Sequence, residues 1–164
     1  MDEVLDKYLS LLSNMKRANV GGYKAPHKVL LLMTVCNMVE SGMIVDNRIV
    51  LSRELEKEFA GLWKEVVDNE ESMPMDCVAE VLFMGQRKVY PFNCNIANPY
   101  YHLSGEPFWR LVKSLQWENR SSWSVPQLRK CFEYATMDEG LFQLILYPET
   151  RQKIYLHLDE LLKG

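Results

Sequence analysis

The stretch Tyr23-Lys24-Ala25-Pro26-His27-Lys28-Val29-Leu30-Leu31-Leu32-Met33 places two lysines and a histidine, and no acid, where a very apolar segment begins. Pro26 suits the first position of a helix. A helix N-terminus carries partial positive charge and unpaired N–H groups, so acids are favoured there and a lysine costs ~0.3–1 kcal/mol. A bound anion reverses the sign of each term, since dipole, N–H groups and cations then all attract it. Phosphate is the natural candidate. The competing reading is structural: Lys28 snorkels to water and His27 is a satisfied core histidine.

A second set is Asn98-Pro99-Tyr100-Tyr101-His102-Leu103. Taken alone, such a Pro-aromatic cluster is a packed turn. Its ring faces and C–H groups also suit a ligand less polar than a phosphate oxygen. Charge distribution links the two sets. Residues 7–39 hold five basic residues and no acid, and residues 54–80 hold nine acids against Lys57 and Lys64. Residues 86–130 hold seven basic residues against Glu106 and Glu118. If folding joins the two basic blocks, one face is positive although the net charge is −3.

The remaining composition mostly excludes. A length of 164 residues suits one domain. No apolar run reaches membrane-span length, and the acidic start MDEVLD is neither a signal nor a transit peptide. Cys36, Cys77, Cys94 and Cys131 lack CxxC spacing, which argues against zinc and fits reduced thiols in a cytoplasm. His27, His102 and His157 have no metal-ligand spacing. No phosphate-binding glycine loop, HExxH or GxSxG is present, and no nucleophile–base pair can be named. The expectation is a chain with no cofactor or metal that is not an enzyme by itself.

The elements that must position these residues read as a predominantly helical α+β single domain with small β-hairpins. Apolar spacing predicts an amphipathic helix over 2–18, broken by Gly21-Gly22. A helix apolar nearly all round runs from Pro26 to about Glu40, a pattern typical of core helices. Residues 43–51 read as two short strands around Asp46-Asn47, and Ser52 caps a third helix through Val66. An acidic loop follows, then a hairpin of Cys77–Phe83 and Arg87–Phe92 around Gly85. Residues 93–108 have no clean period and read as a long irregular, functional loop. Residues 109–115 are extended or a short helix. Ser124 caps a helix through Phe132, Asp138–Leu146 gives another, and Pro148 starts the last, to Leu162.

In order and spacing, Ala25-Pro26-His27-Lys28-Val29-Leu30-Leu31-Leu32, then Gly42, Asn47-Arg48-Ile49, Leu51-Ser52, Leu55, Phe59 and Leu62-Trp63, then Asn98-Pro99-Tyr100-Tyr101-His102-Leu103 and Phe108-Trp109-Arg110-Leu111 resemble the sulfur-binding domain. That domain precedes HNH nuclease domains in phosphorothioation-dependent type IV restriction endonucleases. The resemblance covers almost all of residues 1–164. It implies a cytoplasmic recognition module that binds double-stranded DNA in which sulfur replaces a non-bridging phosphate oxygen. A fused or partner HNH nuclease would then do the cutting. Sulfur keeps the negative charge but is larger and less hydrated, so an apolar cup distinguishes it where cations cannot. By resemblance, the cup maps onto Asn98, Pro99, Tyr100 and His102, with Tyr101 alongside. The anion side maps onto His27 and Lys28 with Tyr23 and Lys24 beside them, and a later family arginine maps onto Arg129.

The sequence departs from the family at Asn98, where a tyrosine is frequent, and at His102, where the cup wall tends to be small. Tyr90-Pro91-Phe92 is a rival cup; the spacing to Leu103 and Trp109 favours Pro99. Two other readings stand beside this one. The first is a reader of another DNA modification or of plain DNA, although helix 26–40 is too apolar to lie in a groove. The second is a protein-interaction domain presenting Tyr100, Tyr101, Trp117 and Trp123 to a partner chain.

Overall fold

The organising element is a helix with almost no polar face. In the computed structural model, which describes residues 2–67 and 92–163, α2 (His27–Glu40) buries ten of its residues. Val29, Leu30, Leu31 and Val35 are wholly inaccessible. Each such side chain contributes about 1.5–3 kcal/mol of burial. Thr34 is tolerated inside because its hydroxyl donates to Leu30 O one turn back, at 2.7 Å.

Around α2 pack α3 (Arg53–Val66), α4 (Ala97–His102), α6 (Glu139–Leu146) and α7 (Pro148–Lys163). Helix α1 (Asp2–Ser13) lies on α6 and α7, and α5 (Val125–Cys131) on α4. Among the described residues two antiparallel pairs complete the α+β architecture. They are β1 (Asn19–Val20) with β2 (Tyr23–Lys24), and β3 (Trp109–Lys113) with β4 (Phe132–Met137). Caps fall where the side chains can accept. Ser52 Oγ takes the Leu55 N–H at 3.0 Å, and Ser124 forms a capping box with Gln127.

Four local expectations are corrected. Helix α1 stops at Ser13 rather than 18, and the chain then turns through the β1–β2 hairpin. Residues 43–51 do not pair with each other. Ile49 instead bridges Ala135 of β4, and the Asn47 amide holds Met137 from both sides, donating to its O at 2.6 Å and accepting its N–H at 2.9 Å. The expected loop 93–108 contains helix α4 and a 3-10 turn at Leu103–Gly105. Pro99 is compatible with this helix because it sits in its first turn. Finally, α5 ends at Cys131, and Phe132 opens strand β4. The expected acidic loop, the hairpin around Gly85 and the rival cup proline Pro91 lie outside the described residues.

Candidate nucleic-acid interface

A cavity of about 630 Å³ opens at the start of α2. Its wall joins chain segments far apart in sequence. Lys16, Arg17, Ala18 and Ala25 come from the α1–α2 connection, His27 and Lys28 from the first turn of α2, and Asn98 and His102 from α4. Phe92, Gly105 and Glu106 complete it. Helix α2 has no side-chain N-cap and no acid in its first turn. Among the described residues no side chain caps its first N–H groups, which lie beside the cavity wall.

The two α2 residues on this wall bring less charge than their types suggest. Lys28 Nζ lies 2.7 Å from Glu106 Oε2, with both side chains largely buried, and donates also to Lys16 O at 2.8 Å. Glu106 accepts the Lys16 N–H as well, at 3.1 Å. Among the described residues of the lining Glu106 is the only acid, and it neutralises Lys28 from within the fold. His27 is buried against Trp63, with ring centroids 4.8 Å apart, and meets Phe92 edge-on. Its Nε2 is 2.8 Å from Asn93 O, and a carbonyl can only accept, so the Nε2 proton is committed there. Burial pulls the imidazole below its ordinary value, outweighing the upward pull of that hydrogen bond. His27 is a neutral wall residue near pH 7.

That burial has a pH consequence. The unfolded chain protonates this histidine through its ordinary value of 6.5, whereas the folded chain resists. The stability that His27 contributes is complete above that value and is lost as pH falls through it toward the folded one. We expect the difference in urea midpoint between about pH 7.5 and pH 5 to shrink in His27→Phe. An unchanged difference would contradict the neutral, buried assignment.

Cations remain at the cavity's hairpin side. Lys16 is exposed, and so is Lys24 on β2 just outside the lining. Neither has an acid partner among the described residues. Arg17 is held in place by backbone. Its Nε donates to Ala25 O at 2.8 Å, and a terminal nitrogen donates to Leu161 O in the last turn of α7, at 3.1 Å. A cation at a helix C-terminus is favoured by the dipole, which adds to these two hydrogen bonds.

Other expected site residues turn elsewhere. Tyr100 is core: its hydroxyl donates to Ile49 O at 2.6 Å, and its ring meets Trp109 edge-on. Burial pushes its phenol far above the ordinary value. Pro99 is buried in the same turn and does not line the cavity. Tyr101 stacks on Trp123 at 5.2 Å and packs against Phe132. Arg129 braces α5 to α3, with Nε on Leu51 O at 2.7 Å and a terminal nitrogen 2.9 Å from Glu56. Tyr23 is half-buried on β2, outside the lining. Of the four aromatics considered for a partner chain, Trp117 alone is exposed, and Lys113 covers its ring at 4.0 Å.

Tyr100→Phe separates a wall role from a packing role. It keeps the ring and removes the buried hydroxyl. The acceptor Ile49 O still holds the Ala135 N–H, so no carbonyl is orphaned. The expected loss is about 1 kcal/mol in a denaturation midpoint, with ligand binding unchanged.

Lys16, Arg17 and Glu106 are wall residues that sequence reasoning did not assign, whereas Phe92 belongs to the rival cup stretch Tyr90-Pro91-Phe92. Lys16 and Arg17 had a signal, the acid-free run 7–39. Glu106 had a fainter one, as one of two acids in a basic block. Among the described residues no group of three or more His, Cys, Asp or Glu is placed to hold a metal ion. No helix there is long and apolar enough to cross a membrane. No protein-family model and no curated protein matches this chain.

Proposed function

We propose that this chain binds double-stranded DNA carrying a backbone phosphorothioate, as the recognition module of a modification-dependent restriction system. In this reading it does not cut DNA by itself, and a fused or partner HNH nuclease supplies the cleavage. The observation that carries the proposal is the shared cavity. The start of α2 and the Asn98–His102 segment, about seventy residues apart and singled out for complementary chemistry, line one wall.

The roles within that cavity follow from the geometry. Lys16 and Arg17, with Lys24 nearby, attract the phosphate charge. Ala18, Ala25 and Phe92 give an apolar wall, which replaces the cup first drawn from Pro99 and Tyr100. An oxygen entering such a surface loses hydration that sulfur holds more weakly, so sulfur is admitted at lower cost. Asn98 and His102 are the exposed polar groups that α4 brings to the same wall. The resemblance to the sulfur-binding domain supports the same choice of ligand.

The test separates charge from discrimination. Asn98→Ala and His102→Ala are expected to bring the affinities for phosphorothioate and plain duplexes together. Lys16→Ala is expected to lower both affinities and leave their ratio intact. Equal losses on both duplexes from all three substitutions would overturn the cavity as the sulfur site.

A further inference from the structure

The β1–β2 hairpin is an unusual way to connect α1 to α2. Its turn is Gly21-Gly22, with φ of 62° and 90°, as a two-residue type I′ turn requires. A β-carbon built on either glycine would meet no atom within 4 Å, so the tip stands in open space. Asn19 pairs with Lys24 and Val20 with Tyr23. The Ala25 N–H donates to Ala18 O at 2.7 Å, and Asn19 Oδ1 accepts the Gly22 N–H at 3.1 Å. Two adjacent glycines are costly to order, and a bare connection needs neither.

The base of this ribbon is the cavity itself, since Ala18 and Ala25, its last paired residues, both line the wall. Its charge is one-sided. Lys16, Arg17 and Lys24 flank it, and residues 7–39 hold no acid. Near its tip Val20 is 47% exposed, although it is a β-branched apolar residue. A two-stranded ribbon fits the major groove of B-DNA, whereas the apolar helix α2 does not.

Resting on the reading above, we infer that the β1–β2 hairpin enters the major groove beside the phosphate held in the cavity, and that Val20 reads a base-pair edge there. The contact available to Val20 is apolar, and the thymine methyl is the group in that groove that offers it. The hairpin thereby sets the base context in which the modified phosphate is bound. Asn93, Asn95, Ser104 and Arg120, polar residues of the second basic block, lie on other segments and do not line the cavity.

The test uses duplexes with one phosphorothioate and each base pair in turn at the three positions on either side. A parallel set replaces thymine by uracil, which lacks the methyl group. Wild type is expected to favour one thymine-containing flank by about tenfold and to lose most of that on the uracil swap. Val20→Ser is expected to bind all flanks within about twofold of one another, with the sulfur-to-oxygen ratio unchanged. A flat wild-type profile, or a preference retained by Val20→Ser, overturns the hairpin assignment and leaves the phosphorothioate reading standing. Failure of wild type to bind any duplex overturns both.

Discussion

Lys28→Ala is expected to lower the stability of the folded chain by about 3 kcal/mol. The ammonium and the Glu106 carboxylate are 13% and 7% exposed and 2.7 Å apart. Removing one partner strands a carboxylate that is largely buried. Breaking such a pair costs ~3–5 kcal/mol, and the lower end applies here because Glu106 still accepts the Lys16 N–H. Replacing both, as Lys28→Met with Glu106→Leu, removes the stranded charge and should recover most of the loss. Urea denaturation of the wild type and these two variants checks this. A stable Lys28→Ala variant would show that Glu106 reaches water and that the pair is a surface contact. The same geometry changes what Lys28→Ala says about DNA. Any loss of binding in that variant reflects the carboxylate left unpaired on the wall rather than a lost phosphate contact, because Lys28 and Glu106 together contribute no net charge.

The second large effect is on salt dependence. If Lys16, Arg17 and Lys24 each neutralise one phosphate, the logarithm of the affinity falls with the logarithm of salt at a slope of about −2.7. Raising salt from about 50 to about 200 mM then weakens binding roughly 40-fold. Lys16→Ala and Lys24→Ala should each flatten the slope by about one. Both side chains are exposed and unpaired among the described residues, so neither substitution threatens the fold. Fluorescence anisotropy at four salt concentrations measures it. A slope that neither substitution alters would place the DNA elsewhere on the surface.

What was legible in the sequence follows from how local each signal is. The caps Ser52 and Ser124 act within four residues and were found. The nearly all-round apolar character of α2 is typical of a core helix, and it is one. The pairing of residues 43–51 was not legible because its partner lies in β4, nearly ninety residues on. Asn47 looked like a turn residue and instead serves as a side-chain partner for Met137. Helix α4 is too short to show a period, and its proline hid it.

The site divides the same way. His27, Lys28, Asn98 and His102 were identified by residue type, and all four line the cavity. Their charge states were not legible, since Glu106 lies 78 residues from Lys28 and the Asn93 carbonyl that fixes the His27 proton lies 66 residues away. Tyr100 and Arg129 were assigned by resemblance to positions that this fold uses for packing and bracing.

The most direct measurement is a titration of this chain against one short duplex, with and without a single phosphorothioate of defined configuration, at two salt concentrations. Clear preference for the sulfur duplex, retained at the higher salt while both affinities fall, is the predicted result. Equal binding to the two duplexes, or binding to neither, would contradict it.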